Sequence, residues 1–489
     1  MNRRLIILTG AALALTGICV LTAQVPKHPS ELKFESLTYN PPRAEEYRIT
    51  LSNGMIVYMV EDHSLPAVDL QAFIRTGSIY DPVNKKGLAQ MTGSVMRTGG
   101  TASLSGDELD EKVDFLGASL SSTIGTRRGS ASLFVLSKDL EEGLELFADM
   151  LMNPVFEESK ITLYKDQTME NLKARNDQPR RLLGLEFDRL LYGDHPFVWE
   201  TDRAALETIT RDDLIDFHNR YFRPNNVILA AAGDFDRDEM VRKLEFVFRS
   251  WTPEEIDFPS LPEVKVKNRP GVFMVQKEIS QGYVNVGHFG VKDTNPDLYA
   301  LDIMNFILGG GSFTSRITTK VRSDEGLAYN TGSRFVNQHD FPGTFYGYVQ
   351  TKSSTVQYAV SLILDEFRRI RSERVSESEM ETAKNYFLDS FPNRFSSSLN
   401  TMAAFAELEY DRFPLDYYDH YRANIEKVSR DEVLRVAKKY IKPDQMSIFI
   451  VGDIEACKAG SPDHPGSLEK WGKMTVIEPL DPMAASGGR

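Results

Sequence analysis

The stretch TRDDLIDFHNRYFRPNNVILAAAGD, residues 210–234, returns 219 positions later as SRDEVLRVAKKYIKPDQMSIFIVGD, residues 429–453. Most positions agree in chemical character, and six are identical without a gap: Arg211/Arg430, Asp212/Asp431, Tyr221/Tyr440, Pro224/Pro443, Gly233/Gly452 and Asp234/Asp453. A repeat at one long period is the signature of a duplicated domain. The sequence therefore predicts two homologous halves, at 46–257 and 271–457, joined by a proline-containing linker at 258–270.

Each copy of the repeat predicts a helix followed by a strand. Thr210 and Ser429 are suitable helix N-cap residues, and the acidic residues after them suit a first helical turn. The helix ends near the shared proline, and an apolar strand then runs to Gly-Asp. Elsewhere, alternating strands such as 68–78 are mixed with helical patterns such as 138–152. We therefore predict an α+β fold with an α/β sandwich in each half.

Composition places the 489-residue chain among ordinary globular proteins, with 41% hydrophobic and 26% charged residues. Its formal net charge of −13 disfavours nucleic acid as a partner, because phosphate binding needs a basic surface. Solubility is the simplest explanation of this charge.

The two ends of the chain differ from the rest. Residues 1–23 have the layout of a secretory signal peptide, with two arginines before an apolar run that ends at Thr22-Ala23. We therefore expect export, most simply to a periplasm, and an uncleaved membrane anchor is the alternative. An N-terminal arm is expected at 24–45 and a flexible tail at 458–489. Removal of the signal peptide would leave Cys457 as the only cysteine and no internal disulfide.

Two motifs carry the chemistry of the chain. Residues 87–101, GLAQMTGSVMRTGGT, resemble the metal-binding helix of the pitrilysin/insulinase-type zinc peptidases, the inverzincins, whose pattern is G-L-A-H-x-x-E-H. Residues 309–333, GGGSFTSRITTKVRSDEGLAYNTGS, resemble the C-terminal signature of the same family. With the repeated block, the resemblance covers about 46–456. It implies two homologous halves that face each other as a clamshell, in a chain similar in length to the short processing-peptidase subunits.

The first motif departs from the family at every metal position. Catalytic zinc needs two imidazoles one helical turn apart, a third ligand, and a carboxylate base for its bound water. Gln90 and Ser94 stand where the family has its histidines, and Gly93 stands where it has its glutamate base. Asn171 takes the position of the distal ligand, beside Glu170, but one carboxylate does not hold catalytic zinc. We therefore expect no metal in this chain, and zinc in a partner subunit.

The histidines offer no substitute site. There are eight of them: His28, His63, His195, His218, His288, His339, His420 and His464. No two are three or four positions apart, so no helix can carry a ligand pair. We interpret His195 as a residue that positions a loop and His218 as part of a helix face.

The second motif keeps the other part of the family's chemistry. Arg322 and Tyr329 are seven residues apart in R-S-D-E-G-L-A-Y, which is the spacing of an arginine–tyrosine pair in the family. The resemblance implies that this pair reaches the substrate carbonyl beside the metal, where both side chains donate hydrogen bonds to an oxyanion. The alternative is that Arg322 pairs with Asp324 or Glu325 at the surface, while Tyr329 is an aromatic residue of a strand.

A glycine-rich run precedes this pair, at Gly309, Gly310, Gly311 and Ser312. It lacks the lysine of a phosphate-binding loop, and we interpret it as a turn between a helix and a strand. In the family's heterodimers a glycine-rich loop of the non-catalytic subunit contacts substrate. The resemblance therefore makes these four residues candidates for peptide contact as well.

Together these observations predict a non-catalytic subunit of an exported heterodimeric zinc peptidase. A homologous partner would carry the zinc motif, and this chain would close the peptide chamber and supply the arginine–tyrosine pair. Substrates would be extended peptides or unfolded polypeptide, bound as an added strand at a sheet edge. Two alternatives stay open, namely a scaffold or peptide-binding protein without a proteolytic role, and a metallopeptidase that is active alone through an unorthodox metal site.

Overall fold

The computed structural model describes His28 and residues 39–484 of the chain. The predicted signal peptide at 1–23 and most of the predicted arm at 24–45 lie outside these residues. Two compact units are distinguished, Met1–Asn40 and Pro41–Arg489. All helices and strands named below belong to the second unit.

Two six-stranded sheets form the framework of this unit. Sheet 1 has the order β1-β2-β6-β3-β5-β4, with strands at Arg48–Thr50, Ile56–Glu61, Ala67–Ile74, Ser119–Ile124, Gly129–Leu136 and Val227–Gly233 for β1 to β6. Sheet 2 has the order β12-β7-β11-β8-β10-β9, with strands at Gly271–Gln276, Gln281–Phe289, Ala328–Val336, Thr344–Lys352, Ser447–Gly452 and Met474–Val476 for β7 to β12. Five strands follow the same order in both sheets, β2-β6-β3-β5-β4 and β7-β11-β8-β10-β9, as a duplication predicts. The outermost strands β1 and β12 differ, since β1 pairs antiparallel with β2 and β12 pairs parallel with β7.

Seventeen α-helices accompany these strands within residues 39–484. In the first half they are α1 to α9, at Ala44–Tyr47, Leu88–Thr98, Gly106–Phe115, Leu140–Met152, Glu158–Lys173, Pro179–Tyr192, Arg203–Thr208, Arg211–Tyr221 and Arg237–Val247. In the second half they are α10 to α17, at Leu298–Asn305, Arg316–Thr318, Val356–Ser372, Glu377–Ser390, Ser398–Tyr410, Tyr417–Lys427, Arg430–Tyr440 and Ile454–Ala459. The predicted α+β class is confirmed.

The repeated sequence block forms the same structure twice. Thr210 and Ser429 each close a capping box, in which the side chain accepts from a backbone N–H three residues on. The helices α8 and α16 then lead into the buried central strands β6 and β11. Even a tertiary contact recurs at the 219-residue offset, because Arg211 donates to the carbonyl oxygen of Phe156 and Arg430 donates to that of Val375.

The two halves exchange equivalent helices. Helix α6 belongs to the first half, yet its apolar residues, such as Phe187, pack against β8 and β11 of sheet 2. Helix α14 belongs to the second half and packs against β2, β3 and β6 of sheet 1, where the ring centroids of Phe405 and Tyr58 are 6.0 Å apart. The starts of these helices, Pro179 and Ser398, are again 219 positions apart. The predicted clamshell of two homologous halves is confirmed, and the exchanged helices join them.

A half-buried ion pair helps to hold α14 against sheet 1. Glu409 accepts two hydrogen bonds at 2.8 Å from the guanidinium of Arg48 in β1, and a third at 2.5 Å from the hydroxyl of Tyr58 in β2. Burial raises the pKa of the Glu409 carboxyl, but the hydrogen bonds from Arg48 and Tyr58 outweigh burial and leave this pKa below its ordinary value. The second half is therefore tied to the first strands of sheet 1.

The C-terminal segment makes defined contacts where the sequence predicts a flexible tail. Strand β12 pairs in parallel with β7 of sheet 2. The chain then crosses to the first half, where the carbonyl oxygens of Leu480 and Pro482 accept hydrogen bonds at 2.9 Å from Asn176 and Arg203. The C-terminal segment up to residue 484 therefore contacts both halves, although no apolar periodicity in its sequence predicts these contacts.

Candidate functional site

Helix α2 carries the sequence that resembles a metal-binding helix. It starts after Gly87, and both carboxylate oxygens of Asp81 accept backbone hydrogen bonds at its N-terminus, from Gly87 at 2.8 Å and from Ala89 at 3.0 Å. Burial raises the pKa of the Asp81 carboxyl to about 7, and these backbone hydrogen bonds oppose the rise. The start of the helix is thereby held in place against the rest of the first half.

Gly93 lies against the outer strand β4, where the family has its glutamate base. A Cβ atom at this position would lie 2.8 Å from the carbonyl carbon of Thr123 and closer still to the amide nitrogen of Ile124. Both atoms belong to the backbone, so they cannot rotate away as a flexible side chain would. The first half therefore has no space for any side chain where a catalytic carboxylate would start.

The second half shows the same packing at its own outer strand. A Cβ atom at Gly309 would lie 2.7 Å from the carbonyl carbon of Gly332 in β9 and closer still to the amide nitrogen of Ser333. In both halves, then, a helical glycine lets its helix press onto the backbone of the outer strand. The first half therefore packs at Gly93 as the second half packs at Gly309, and the second half carries no metal motif.

The remaining first-half positions offer weak donors. Gln90 is half-buried, and its Oε1 has no hydrogen-bond partner within residues 39–484. Ser94 is half-buried one turn further along α2. Asn171 is exposed near the end of α5, and the neighbouring Glu170 forms an ion pair with Lys173 at 2.6 Å. Gln90 and Asn171 therefore supply amides and Ser94 supplies a hydroxyl. The carboxylate of Glu170 is already in an ion pair.

In the second half, Arg322 lies between two exposed aromatic rings. Its guanidinium carbon is 4.4 Å from the ring centroid of Phe313 and 4.3 Å from that of Tyr329, which is cation–π geometry. A hydrogen bond at 3.2 Å joins Arg322 Nη1 to the carbonyl oxygen of Tyr329. The Tyr329 ring is not covered by the rest of the protein, since this residue is 83% exposed.

The alternative pairing for Arg322 is wrong. Lys320 forms ion pairs with both acidic residues, with Glu325 at 2.9 Å and with Asp324 at 3.9 Å. Tyr329 does lie in a strand, β9, but its ring points to solvent. Phe313 was not predicted as part of this group, although it follows the glycine-rich run directly and completes the stack on Arg322.

The glycine-rich run lies between helices, so its interpretation as a helix-to-strand turn is wrong. Residues Phe306–Gly310 continue α10 as a π-helix, and a second π-helix, Thr319–Asp324, contains Arg322. Buried Arg316 holds the intervening segment through two hydrogen bonds to Glu379, at 2.6 and 3.0 Å. π-Helical turns are rare and recur at functional sites; here one precedes the arginine–tyrosine pair and the other contains its arginine.

Comparison with known proteins identifies the family. Residues 56–191 match the domain family described as insulinase (peptidase family M16), and residues 208–387 match the one described as the peptidase M16 inactive domain. The chain belongs to the M16 family. The family assigned from the two motifs is thus confirmed.

Individual M16 relatives cover most of the chain. A non-peptidase homolog, YmxG, of Helicobacter pylori is 25% identical over 401 residues, which is 80% of this chain and 90% of that protein. The peptidase M16 inactive domain of Pseudomonas fluorescens has a TM-score of 0.76 at 24% identity and covers 85% of this chain and 98% of its own. The periplasmic protease PqqL of Escherichia coli has a TM-score of 0.72 at 14% identity, over 86% of this chain and 46% of its own.

The zinc ion that the M16 family name implies does not fit the residues of α2 and α5. Amide and hydroxyl groups are poor zinc ligands compared with imidazole, thiolate or carboxylate, and Gly93 leaves no room for a base. Within residues 39–484, no three His, Cys, Asp or Glu side chains are grouped so that they could hold a metal ion.

In the same part of the chain, no helix has the length and apolar character needed to cross a membrane.

The two singled-out histidines have the structural roles assigned to them. His195 positions its loop, since Nδ1 accepts from the Phe197 backbone at 3.2 Å and Nε2 lies 3.1 Å from the Pro262 carbonyl oxygen. His218 is buried in α8, with Nε2 2.9 Å from the carbonyl oxygen of Leu151. In the described residues, neither belongs to a group of three or more His, Cys, Asp or Glu side chains that could hold a metal ion.

Burial of His218 predicts a specific pH dependence. Burial lowers the pKa of His218 from 6.5 to about 4. The unfolded chain therefore takes up a proton at this site at higher pH than the folded protein, and stability falls as pH drops from 6.5 toward 4. We expect His218→Phe to abolish up to about 3 kcal/mol of this loss. Urea unfolding across the window measures it, and an undiminished slope would show that His218 is not the group responsible.

The matched control for this experiment is His420→Phe. His420 is an exposed histidine, 65% accessible in its side chain, on α15. This variant makes the same change of side chain outside the core, so it separates the effect of burial at position 218 from that of the substitution itself.

Proposed function

We propose that this chain is the non-catalytic subunit of an exported heterodimeric zinc peptidase. One observation carries the proposal: the first half is packed shut at Gly93, while the second half presents Arg322 and Tyr329 at its surface. A chain that could hydrolyse peptides alone would need a metal site with a catalytic base in the first half as well as this pair in the second. A homologous partner that binds zinc would supply what the first half lacks.

In this proposal Arg322 and Tyr329 assist at the partner's zinc site. When water attacks a peptide carbonyl, the oxygen becomes an oxyanion, and fixed hydrogen-bond donors lower the energy of that state. Tyrosine supplies a neutral hydroxyl, and arginine supplies a charged planar fork. The stack of Arg322 between Phe313 and Tyr329 restricts the motion of all three side chains, which favours donors that are in place before the reaction.

A cavity in the second half and the edges of both sheets suit an extended peptide. A cavity of about 140 Å³ lies between α6 and sheet 2, lined by aromatic and amide side chains that include Tyr346, Tyr348 and Asn330. Outer strands β4 and β9 each pair on one side only among the described strands, so a peptide could add as a further strand. Of the glycine-rich run, Gly310, Gly311 and Ser312 would contact substrate from the end of α10, whereas Gly309 is buried against β9.

Relatives support the separation of roles. A protein named a non-peptidase homolog covers most of the chain. This chain also spans 46% of PqqL, so a second homologous chain would supply about the length that remains in that protein. The periplasmic location in the name of PqqL and the signal-peptide pattern at 1–23 support export. The negative net charge of −13 argues against a nucleic-acid partner.

Co-purification with a peptidase assay tests the proposal. We expect the tagged chain to bring down a zinc-containing M16 subunit that cleaves a quenched peptide. Arg322→Ala and Tyr329→Phe should each lower kcat of that complex about 10- to 100-fold while the complex still forms, because each removes one oxyanion donor. Zinc content of the two subunits, separated after purification, assigns the metal to one of them.

Two matched controls make the outcome decisive. Arg368→Ala and Tyr386→Phe remove the same groups from exposed helical positions of the second half, and both should leave kcat unchanged. Full activity of the Arg322 and Tyr329 variants would remove the assisting role. An intact complex with no peptidase activity would favour the scaffold or peptide-binding alternative, and stoichiometric zinc in this chain with chelator-sensitive cleavage would favour the self-sufficient peptidase.

A further inference from the structure

A cavity of about 230 Å³ lies where the two halves meet. Residues from the end of β3 and from the turn between β4 and β5, among them Arg75, Thr76 and Arg127, line one side. The other side belongs to the second half and includes Asp340, before β10, and Arg412, after α14. The proposed function makes no use of this cavity, because neither α2 nor the Arg322–Tyr329 pair lines it.

Two buried polar atoms at the cavity lack a partner within residues 39–484. The Thr76 side chain is 0% exposed, and its Oγ1 makes no hydrogen bond. The Nε of Arg75 is also buried and unbonded, although Nη2 of the same guanidinium donates to the Glu409 carbonyl oxygen at 2.8 Å. Buried polar groups are almost always hydrogen-bonded in proteins, so these two atoms indicate where a bound group would be held.

The acidic residues of the cavity are already paired. Arg127 donates to Asp340 at 2.9 Å and lies 3.9 Å from Asp411. Burial raises the pKa of the Asp411 carboxyl, and the charge of Arg127 opposes this rise. His339, which also lines the cavity, pairs with Asp293 at 3.1 Å. Within residues 39–484, no carboxylate of the cavity forms an ion pair with Arg75 or Arg412.

Arg75 and Arg412 are the cations of the cavity that form no ion pair in the described residues. The guanidinium of Arg412 also makes no hydrogen bond there. Burial lowers the pKa of Arg75 and the like charge of Arg412 lowers it further, while Tyr410, Glu409 and Asp411 act in the opposite direction. Two guanidinium groups at one cavity repel each other. An anion between them would relieve this repulsion.

We propose that this cavity binds a small oxyanion, a carboxylate or phosphate group, through Arg75, Arg412 and the hydroxyl of Thr76. Guanidinium groups bind both kinds of oxyanion with two parallel hydrogen bonds, and a threonine hydroxyl adds a third donor. The volume suits a small anion rather than a folded partner. Because Arg75 and Thr76 belong to the first half and Arg412 to the second, the bound anion joins the two halves and stabilises the folded protein by mass action.

Calorimetric titration with inorganic phosphate and, separately, with citrate tests the site, in buffers whose ionic strength is matched with sodium chloride. We expect one of the two anions to bind with one site per chain and to raise Tm, while chloride does neither. Phosphate binding alone would identify a phosphate ligand, and citrate binding alone a carboxylate ligand. Failure of both anions to bind would overturn the proposal.

Variants place the binding in this cavity. Arg412→Gln removes an exposed cation, and Thr76→Val removes the hydroxyl while it keeps the shape of the side chain. Each should weaken anion binding about tenfold or more, whereas Arg368→Gln, at an exposed helical arginine paired with Asp365, should leave it unchanged. Should Thr76→Val impair folding, Arg412→Gln still decides the question. Equal affinity in the Arg412 variant and in the unmodified protein would show that the anion binds elsewhere.

Discussion

Replacement of Gly93 by alanine lowers the free energy of unfolding by about 3 kcal/mol. The added methyl group meets backbone atoms of Thr123 and Ile124, so α2 or β4 must move to accept it. In an ordinary helix interior the same change would increase stability by up to about 1 kcal/mol, because alanine is the better helix former. A decrease in the free energy of unfolding therefore indicates that α2 lies in close contact with β4 at Gly93, and an increase indicates that it does not. Urea unfolding measures this change.

Ser94→Ala is the matched control, since Ser94 is the next residue of α2 and is only half-buried. We expect that variant to remain within about 0.5 kcal/mol of the unmodified protein. A more stable Gly93→Ala protein would contradict the account, because it would mean that space for a side chain exists at the position of the catalytic base.

Loss of the Glu409 carboxylate has the second large effect. Glu409→Ala leaves Arg48 and the fully buried Tyr58 without their partner and loosens α14 from sheet 1. Removal of one member of a buried, hydrogen-bonded ion pair costs about 3–5 kcal/mol. The Glu409 side chain is 18% exposed and that of Arg48 is 30% exposed, so we expect the lower end, about 3 kcal/mol.

The pH dependence of this effect has a defined sign. The folded protein lowers the pKa of Glu409, so its stabilising contribution is present above the carboxyl's ordinary pKa and is lost as pH falls through the folded-state value. The difference between Glu409→Ala and the unmodified protein should therefore shrink in acid. Glu407→Ala, on the same helix with an exposed partner, Arg128, should cost less than about 1 kcal/mol. Equal losses at the two positions would disprove a special role for Glu409.

The duplicated block made the fold predictable. Capping residues Thr210 and Ser429, the shared proline and the apolar strand after it are local signals, and local signals act within a few residues. The exchange of α6 and α14 carries no such signal. It depends on which apolar face meets which sheet after the chain has folded, and residues far apart in sequence decide this.

The candidate site was predictable as chemistry but less so as geometry. The loss of ligands at Gln90 and Ser94 is visible in the sequence, whereas the packing of Gly93 on β4 needs atomic positions. Likewise, the spacing of Arg322 and Tyr329 suggested the pair, but the pairing of Arg316 with Glu379 spans 63 residues and has no local pattern. The unpartnered groups around the cavity at Thr76 come from both halves, so only the folded chain brings them together.

Zinc binding by the isolated chain decides whether α2 can hold a catalytic metal. Equilibrium dialysis against zinc, followed by elemental analysis of the protein and of a Gln90→Ala/Ser94→Ala variant, separates a specific site on α2 from loose surface binding. We expect much less than one tightly held zinc per chain, and the same residual amount in the variant. One tightly held zinc per chain that the double substitution removes would mean that α2 does form a metal site.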